Sequence, residues 1–290
     1  FAILTKGFND KLVIDNAILE DVTEAIAIPR VDFENEIEIN NLYFVNKELL
    51  LKQVKNALIN GKNIIFVGPP GTGKSKLAKE ICCAYNVDYK MSTATSEWST
   101  YETIGGYHPK KDGTLVFRPG VFLDCFKDKK TNYPINKWLI IDEMNRADID
   151  KAFGALFSAL TVDGIDLNFE AESGNKIVLK PQKDELDVLP NDYDYIIPKD
   201  WRLIGTMNTM DKASLYELSY AFMRRFAFIP VSVPKQITKE MVEQYLAVWK
   251  MEDYFYSEVL AYIWQRINQY RQIGPAIIED PATTFIVPPG

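Results

Sequence analysis

The run Gly68-Pro-Pro-Gly-Thr-Gly-Lys-Ser75 sets glycines, a lysine and a hydroxyl at the spacing G-x-x-x-x-G-K-[ST]. Glycines at those places let successive backbone N–H groups turn inward around an anion, and a helix starting there adds the positive end of its dipole. The expected phosphate-binding set is Gly68, Pro69, Pro70, Gly71, Thr72, Gly73, Lys74, Ser75 and Lys76. Lys74 would sit on the β- and γ-phosphates of a nucleoside triphosphate, and the Ser75 hydroxyl on Mg2+. A second group, Leu139-Ile-Ile-Asp142-Glu143, ends an apolar run in two carboxylates. Asp142 suits the metal, directly or through water, and Glu143 suits polarising the attacking water. Those two roles need different positions, which is why two acids in succession are informative.

Asn208, closing Ile204-Gly-Thr-Met-Asn208, is placed to hydrogen-bond a γ-phosphate and orient that water; as a bare residue it also suits a turn after a strand. Arg224 and Arg225 close the amphipathic segment Ala221-Phe-Met-Arg-Arg-Phe226. Guanidinium groups match the charge spread over a transferring phosphoryl group, and cations at a helix end equally complement its dipole. Both readings stand on the residues alone.

These groups need a scaffold, and the hydrophobic pattern supplies one. Asn63-Ile-Ile-Phe-Val67 reads as a buried strand before the glycine loop, and Lys76 to Tyr85 as a helix after it. Trp138–Ile141 and Arg202–Thr206 are further unbroken apolar runs, the pattern of strands covered on both faces of a parallel sheet. Phe153, Leu156, Phe157 and Leu160 give a crossover helix between them. A helix is expected from Asn46, with Leu49, Leu50, Val54, Ala57 and Leu58 on one face and Asn60-Gly61 as the stop. The fold class is therefore α/β, layered on a parallel sheet, with ligands at the carboxyl ends of the strands.

Past about Pro234 only helical stripes remain. Thr238 is the expected cap of one carrying Val242, Tyr245, Leu246 and Trp249; a second carries Val259, Leu260, Ile263, Trp264 and Ile267. The expected division is a lead-in or the end of an upstream domain over 1–40, a nucleotide-binding domain over 41–233 and a small α-helical subdomain over 234–290.

At 290 residues, 47% hydrophobic and 25% charged, the composition is that of an ordinary globular protein. No apolar stretch approaches the ~20 residues of a membrane span. The net charge of −7 argues against a surface devoted to nucleic acid. Cys82, Cys83 and Cys125 with one histidine, His108, make neither a disulfide framework nor a zinc site. Cys82 and Cys83 read as reduced core packing, which points to the cytoplasm. The chain shows no leader and opens on Phe1 rather than Met, so it reads as a portion of something longer.

The four chemical groups, in this order, resemble the AAA+ ATPases, over about Leu42 to Ile278. Asp142-Glu-Met-Asn-Arg-Ala147 is similar to the motif of the branch that holds the MoxR ATPases, the dynein-related modules and the McrB motor of modification-dependent restriction systems. Met207-Asn-Thr-Met-Asp-Lys212 followed by Leu218 to Phe226 looks like the McrB-type segment, departing from it at Met210-Asp-Lys-Ala213. Ile104-Gly-Gly-Tyr-His-Pro and Val116-Phe-Arg-Pro-Gly120 look like the hairpin inserted in MoxR and dynein-related proteins.

The resemblance implies an αβα sandwich with a helical lid, and a homo-oligomeric ring, usually a hexamer, with the nucleotide between protomers. Lys74, Ser75, Asp142, Glu143 and Asn208 would act within one protomer. Arg224 or Arg225 would reach the neighbour's γ-phosphate, and Asn145 and Arg146 would link site and interface. Arg271 is the candidate for the lid's sensor arginine. Insertions around Gly105–Phe117 and Asp163–Leu179 would face the moved substrate. His108 reads as a loop residue in the first of them. Trp98, Tyr101 and Tyr107 either grip a polymer or pack the hairpin base.

The implied cofactors are ATP or GTP, with ATP favoured by the departure at Met210, and Mg2+. The segment Leu42-Tyr43-Phe44 and the lid would read the base. The leading functional expectation is a McrB-like NTPase driving a nuclease partner, with DNA read by a domain outside this chain. The alternatives are a MoxR-type ATPase remodelling a protein partner and a nucleotide-gated scaffold with little turnover. Glu143 speaks against the last.

Overall fold

The computed structural model describes residues 28–154, 156, 164–183, 190–209, 219–251 and 255–279. In chain order these form α1 (Lys47–Ile59), β1 (Asn63–Gly68), α2 (Lys74–Ala84), β2 (Asp88–Thr93), α3 (Thr100–Thr103), β3 (Gly105–Pro109) and β4 (Leu115–Pro119). After a 3-10 turn at Leu123–Cys125 come β5 (Lys137–Asp142), a second 3-10 turn at Met144–Arg146 and α4 (Ile149–Phe153). Then follow β6 (Ile165–Glu170), β7 (Lys176–Pro181), β8 (Asp194–Ile197), β9 (Leu203–Asn208), α5 (Tyr220–Met223) and β10 (Phe226–Pro230), and last α6 (Lys239–Val248) and α7 (Ser257–Asn268).

The central sheet has the order β10-β1-β9-β5-β2, and every pairing in it is parallel. Ile64, Ile65, Phe66, Leu139, Ile140, Ile141, Leu203 and Ile204 are wholly buried, as strands covered on both faces require. Helix α2 buries Leu77, Ala78, Ile81 and Cys82 in the same cluster. β1 and β5, which lead to the glycine loop and to the paired acids, are not neighbours: β9 lies between them. That insertion brings the end of β9 to the centre of the carboxyl edge, with Gly68 beside Asn208.

A second apolar cluster, of Ile237, Val242, Tyr245, Leu246, Leu260, Ala261, Trp264 and Ile278, forms the core of the two C-terminal helices. The Thr238 hydroxyl caps α6 by accepting from the Met241 N–H at 3.4 Å. Ile37 and Ile39 pack into the main cluster.

Several expectations need correction. Leu49 is 58% exposed, so the apolar stripe of α1 is narrower than its spacing implied. In α7, Val259 and Ile263 are exposed, and the buried face is Ser257, Leu260, Ala261 and Trp264. Cys83 is exposed while Cys82 and Cys125 are buried. His108 lies in β3 rather than in a loop. The second insertion is a three-stranded sheet of order β6-β7-β8, in which β8 adds parallel to β7. Of the proposed crossover, Phe153 and Leu156 are buried; Phe157 and Leu160 lie outside the described residues, as do Asp163, Met210 to Ala213 and Leu218.

Candidate functional site

The glycine loop links the end of β1 to the start of α2 and turns on two left-handed residues, Gly71 (φ 75°) and Gly73 (φ 82°). Such angles are open to glycine at no steric cost. The Thr72 hydroxyl folds the loop on itself by donating to the Pro69 carbonyl at 3.0 Å. Lys74 is buried, and its Nζ donates to the carbonyls of Gly68 at 3.0 Å and Pro69 at 2.7 Å. Burial pushes this ammonium down to about 8; the charges of Asp142 and Glu143 act the other way. Nζ also donates to the Thr72 hydroxyl at 3.4 Å, and a buried ammonium held only by neutral oxygens is a cation in search of a counter-charge.

The Ser75 hydroxyl, one residue on, donates to Asp142 Oδ1 at 2.6 Å. Thr206 donates to the same oxygen at 2.5 Å and accepts the Glu143 N–H at 3.0 Å. The start of α2 and the strands β5 and β9 thus meet on one carboxylate. Thr206 was missed in the sequence, although its place two residues before Asn208 on a strand puts both side chains on one face. Glu143 itself is left-handed (φ 52°, ψ 44°), a strained conformation for a non-glycine residue, which redirects the chain straight after β5. Its Oε2 lies 2.8 Å from Arg146 Nη1, and its Oε1 accepts from Arg146 Nη2 at 2.9 Å and from Asn208 Nδ2 at 3.4 Å. The Asn208 backbone N–H also donates to Asn145 Oδ1 at 3.4 Å.

The cleft over these groups has a volume of about 300 Å³. Its lining combines the polar Lys74, Ser75, Asp142, Glu143, Thr206 and Asn208 with the apolar and aromatic Leu42, Tyr43, Phe44, Tyr245, Val248 and Trp249. Polar groups together with aromatic surface in one cleft fit a phosphorylated ring compound. The C-terminal segment closes over the loop through main-chain bonds: Gly274 N–H donates to the Pro70 carbonyl at 2.8 Å and Ala276 N–H to that of Gly71 at 3.2 Å. No side chain fits at Gly274, where a Cβ would run into Gly71.

Ser75, Asp142 and Thr206 are hard oxygen donors, the kind Mg2+ prefers, and a cation there would take over the role the Ser75 proton plays on Asp142. Among the described residues, no group of three or more His, Cys, Asp or Glu forms a closed metal cage.

Arg224 and Arg225 lie elsewhere. They precede β10, whose Phe226 is in register with Asn63 at the start of β1. The glycine loop lies at the far end of β1, roughly 17–20 Å away at ~3.3 Å per residue. Arg224 is exposed, and its carbonyl accepts from Lys62 Nζ at 2.7 Å; Arg225 is half-buried. Arg271 is exposed and does not line the cleft.

In the insertions, Trp98 is buried against Phe153, which favours packing over gripping. Tyr101 OH lies 2.8 Å from His108 Nε2. Tyr107 OH accepts the Glu170 N–H at 2.8 Å, and Phe169 packs against both Tyr107 and Phe117. With Lys110 paired to Glu172 at 2.8 Å, the first hairpin and the three-stranded sheet are fastened together.

Comparison with known proteins bears on this arrangement. Residues 63–226 match the family model described as the AAA domain, dynein-related subfamily. The chain is 27% identical over 251 residues to the Type II restriction enzyme BsuMI component YdiS of Bacillus subtilis, covering 73% of this chain and 66% of that protein. It is 29% identical over 104 residues to a mitochondrial Lon protease homologue of Debaryomyces hansenii, covering 36% of this chain and 9% of that protein. The chain thus spans under a tenth of the Lon homologue's length and about two thirds of the restriction component's. Among solved structures, the Thermotoga maritima RuvB Holliday junction branch migration motor aligns over 82% of this chain and 67% of its own at 15% identity, TM-score 0.41. NtrX from Brucella abortus, in complex with ATP, aligns over 94% and 51% at 14% identity, TM-score 0.43.

Proposed function

We propose that this chain, which belongs to the dynein-related subfamily of AAA domains, hydrolyses a purine nucleoside triphosphate with Mg2+ in an assembly of its own copies. The observation that carries the reading is the convergence of Ser75 and Thr206 on Asp142, next to Glu143 and the buried Lys74.

In this reading the loop amides and Lys74 hold the β- and γ-phosphates, and Lys74 exchanges its carbonyl partners for them. Ser75 and Asp142 would hold Mg2+, which when bound neutralises charge on the phosphate oxygens. Asn208 orients a water, and Glu143 takes its proton as it attacks the γ-phosphorus, whose bond to the bridging oxygen breaks to release the nucleoside diphosphate and phosphate. The aromatic residues of the cleft lining hold the purine, and ATP remains the favoured nucleotide. Arg224 is assigned to the neighbouring protomer's site, because it is exposed and stands at the wrong edge of the sheet for its own.

The wider role rests on likeness to the restriction component over most of this chain. It supports an NTPase component of a restriction system, to which the proposal adds a nuclease partner and, outside this chain, a DNA-reading domain. Phosphate release with Mg·ATP and Mg·GTP, measured with light scattering, tests the central reading. Turnover that appears with assembly and vanishes in Glu143→Gln is the expected result; a monomer without turnover at saturating nucleotide would overturn it.

A further inference from the structure

A second cavity, of about 420 Å³, lies between the two insertions and the loop that follows the first 3-10 turn. Among the described residues, none lines both it and the cleft over the glycine loop. Val116, Phe117 and Pro119 of β4, with Ile177 of β7, give it an apolar wall. Lys127 and Tyr195 also line it, and both are buried. Asp128 holds the loop in shape, its Oδ1 accepting the N–H groups of Lys130 at 3.0 Å and Thr131 at 2.9 Å.

The charges around this cavity do not all pair off. Lys129 pairs with Asp124 at 2.9 Å, and Glu172 with Lys110 at 2.8 Å. The two oxygens of Asp192 accept the Ser173 N–H at 2.9 Å and the Ser173 hydroxyl at 2.7 Å. Lys127 has neutral partners only: Nζ donates to the Asn191 carbonyl at 2.8 Å and stands 4.2 Å from the centre of the Tyr195 ring. An ammonium has three N–H groups, so these partners leave one to spare where an uncompensated charge is costly. Burial pushes Lys127 down to about 8, against the pull of Asp192 and Asp194, so it is still a cation at pH 7.

We propose that this cavity is a second ligand site, anchored by Lys127, for a singly charged carboxylate carried on a small apolar body. The spare N–H meets the carboxylate in a charge-assisted hydrogen bond, and β4 and Ile177 cover the apolar part. The negative charge of Asp192 disfavours a doubly charged anion, which sets this ligand apart from phosphate. A free organic acid and the carboxyl terminus of a peptide share this chemistry, and the test separates them.

The full chain, labelled at its isoleucine and valine methyl groups, is titrated by NMR with 3-phenylpropionate and, separately, with acetyl-Gly-Gly-Phe bearing a free carboxylate. The methyl signals of Val116 and Ile177 should shift with half-saturation at roughly 1 mM or tighter, while Val248 in the other cleft stays put. Both 3-phenylpropanamide, which lacks the charge, and inorganic phosphate should bind about tenfold more weakly or worse. Lys127→Met should weaken the acid to the same degree, with a thermal melt to show that the variant folds, and Lys127→Arg should retain part of the affinity. Shifts with the free acid alone assign the site to a small molecule; shifts with the peptide assign it to a chain terminus. If neither carboxylate moves these signals, the site does not exist. If the amide or phosphate binds as tightly as the acid in the unmutated protein, Lys127 is a structural prop and the proposal fails, whether or not Lys127→Met folds.

Discussion

At the residue scale, Lys74 gives the sharpest expectation. In the folded protein without nucleotide its proton leaves at about 8, against 10.5 in an open chain, and burial is the main cause. Between those values the unfolded chain binds the extra proton, so this group adds stability as pH rises across the window. Phosphate binding needs the ammonium and has the opposite sense. Affinity for nucleotide should fall about tenfold from pH 7 to pH 9, with proton uptake on binding; titration calorimetry in two buffers of different ionisation heat checks both. Lys74→Arg should flatten that dependence, and Lys74→Ala should abolish binding. Glu143→Gln should leave affinity nearly unchanged and lower kcat by about 10²–10⁴, read by phosphate release. Lys74, Ser75, Asp142, Glu143 and Asn208 were all legible in the sequence because each sits at a fixed offset from an apolar run. Thr206 was not, since a threonine inside a strand has no mark until its neighbours are known. The Arg146 contact was equally hidden: it depends on the left-handed turn at Glu143.

At the scale of elements, β1, β5 and β9 announced themselves by their apolar runs, whereas β10 was not read as a strand despite Phe226-Ala-Phe-Ile229. β2, with its polar Asp88-Tyr-Lys-Met-Ser-Thr93, did not announce itself, because an edge strand is only half covered. β8 escaped for another reason: its place beside β7 is a matter of pairing, which single-chain periodicity does not encode. Nor did any pattern show that Gly274 and Ala276 bind the glycine loop through their backbones, where side-chain identity leaves no trace. That contact has a measurable weight. Gly274→Ala would force the C-terminal segment off Gly71, and overpacking of this kind costs about 1–3 kcal/mol. Nucleotide affinity should weaken by about five- to a hundredfold in fluorescence titration, while a melt should show the sheet domain still folded.

At the scale of the whole molecule, the proposed role of Arg224, which lies far from its own glycine loop, calls for a second copy to be tested. Arg224→Ala should keep nucleotide binding and lose about 10³-fold or more in turnover. Mixed with Glu143→Gln, it should recover activity, because intact Glu143 and intact Arg224 then meet at some junctions; a mixture as inactive as its parts would exclude a shared site. The two insertions have a bearing on how such an assembly would deliver work. Tyr107, Phe117 and Lys110 on one side and Phe169, Glu170 and Glu172 on the other bind them at several points. Two fingers glued along their length bend as one stiff beam, so a load on either tip is carried back to the sheet through both roots, beside β2 and β9 alike.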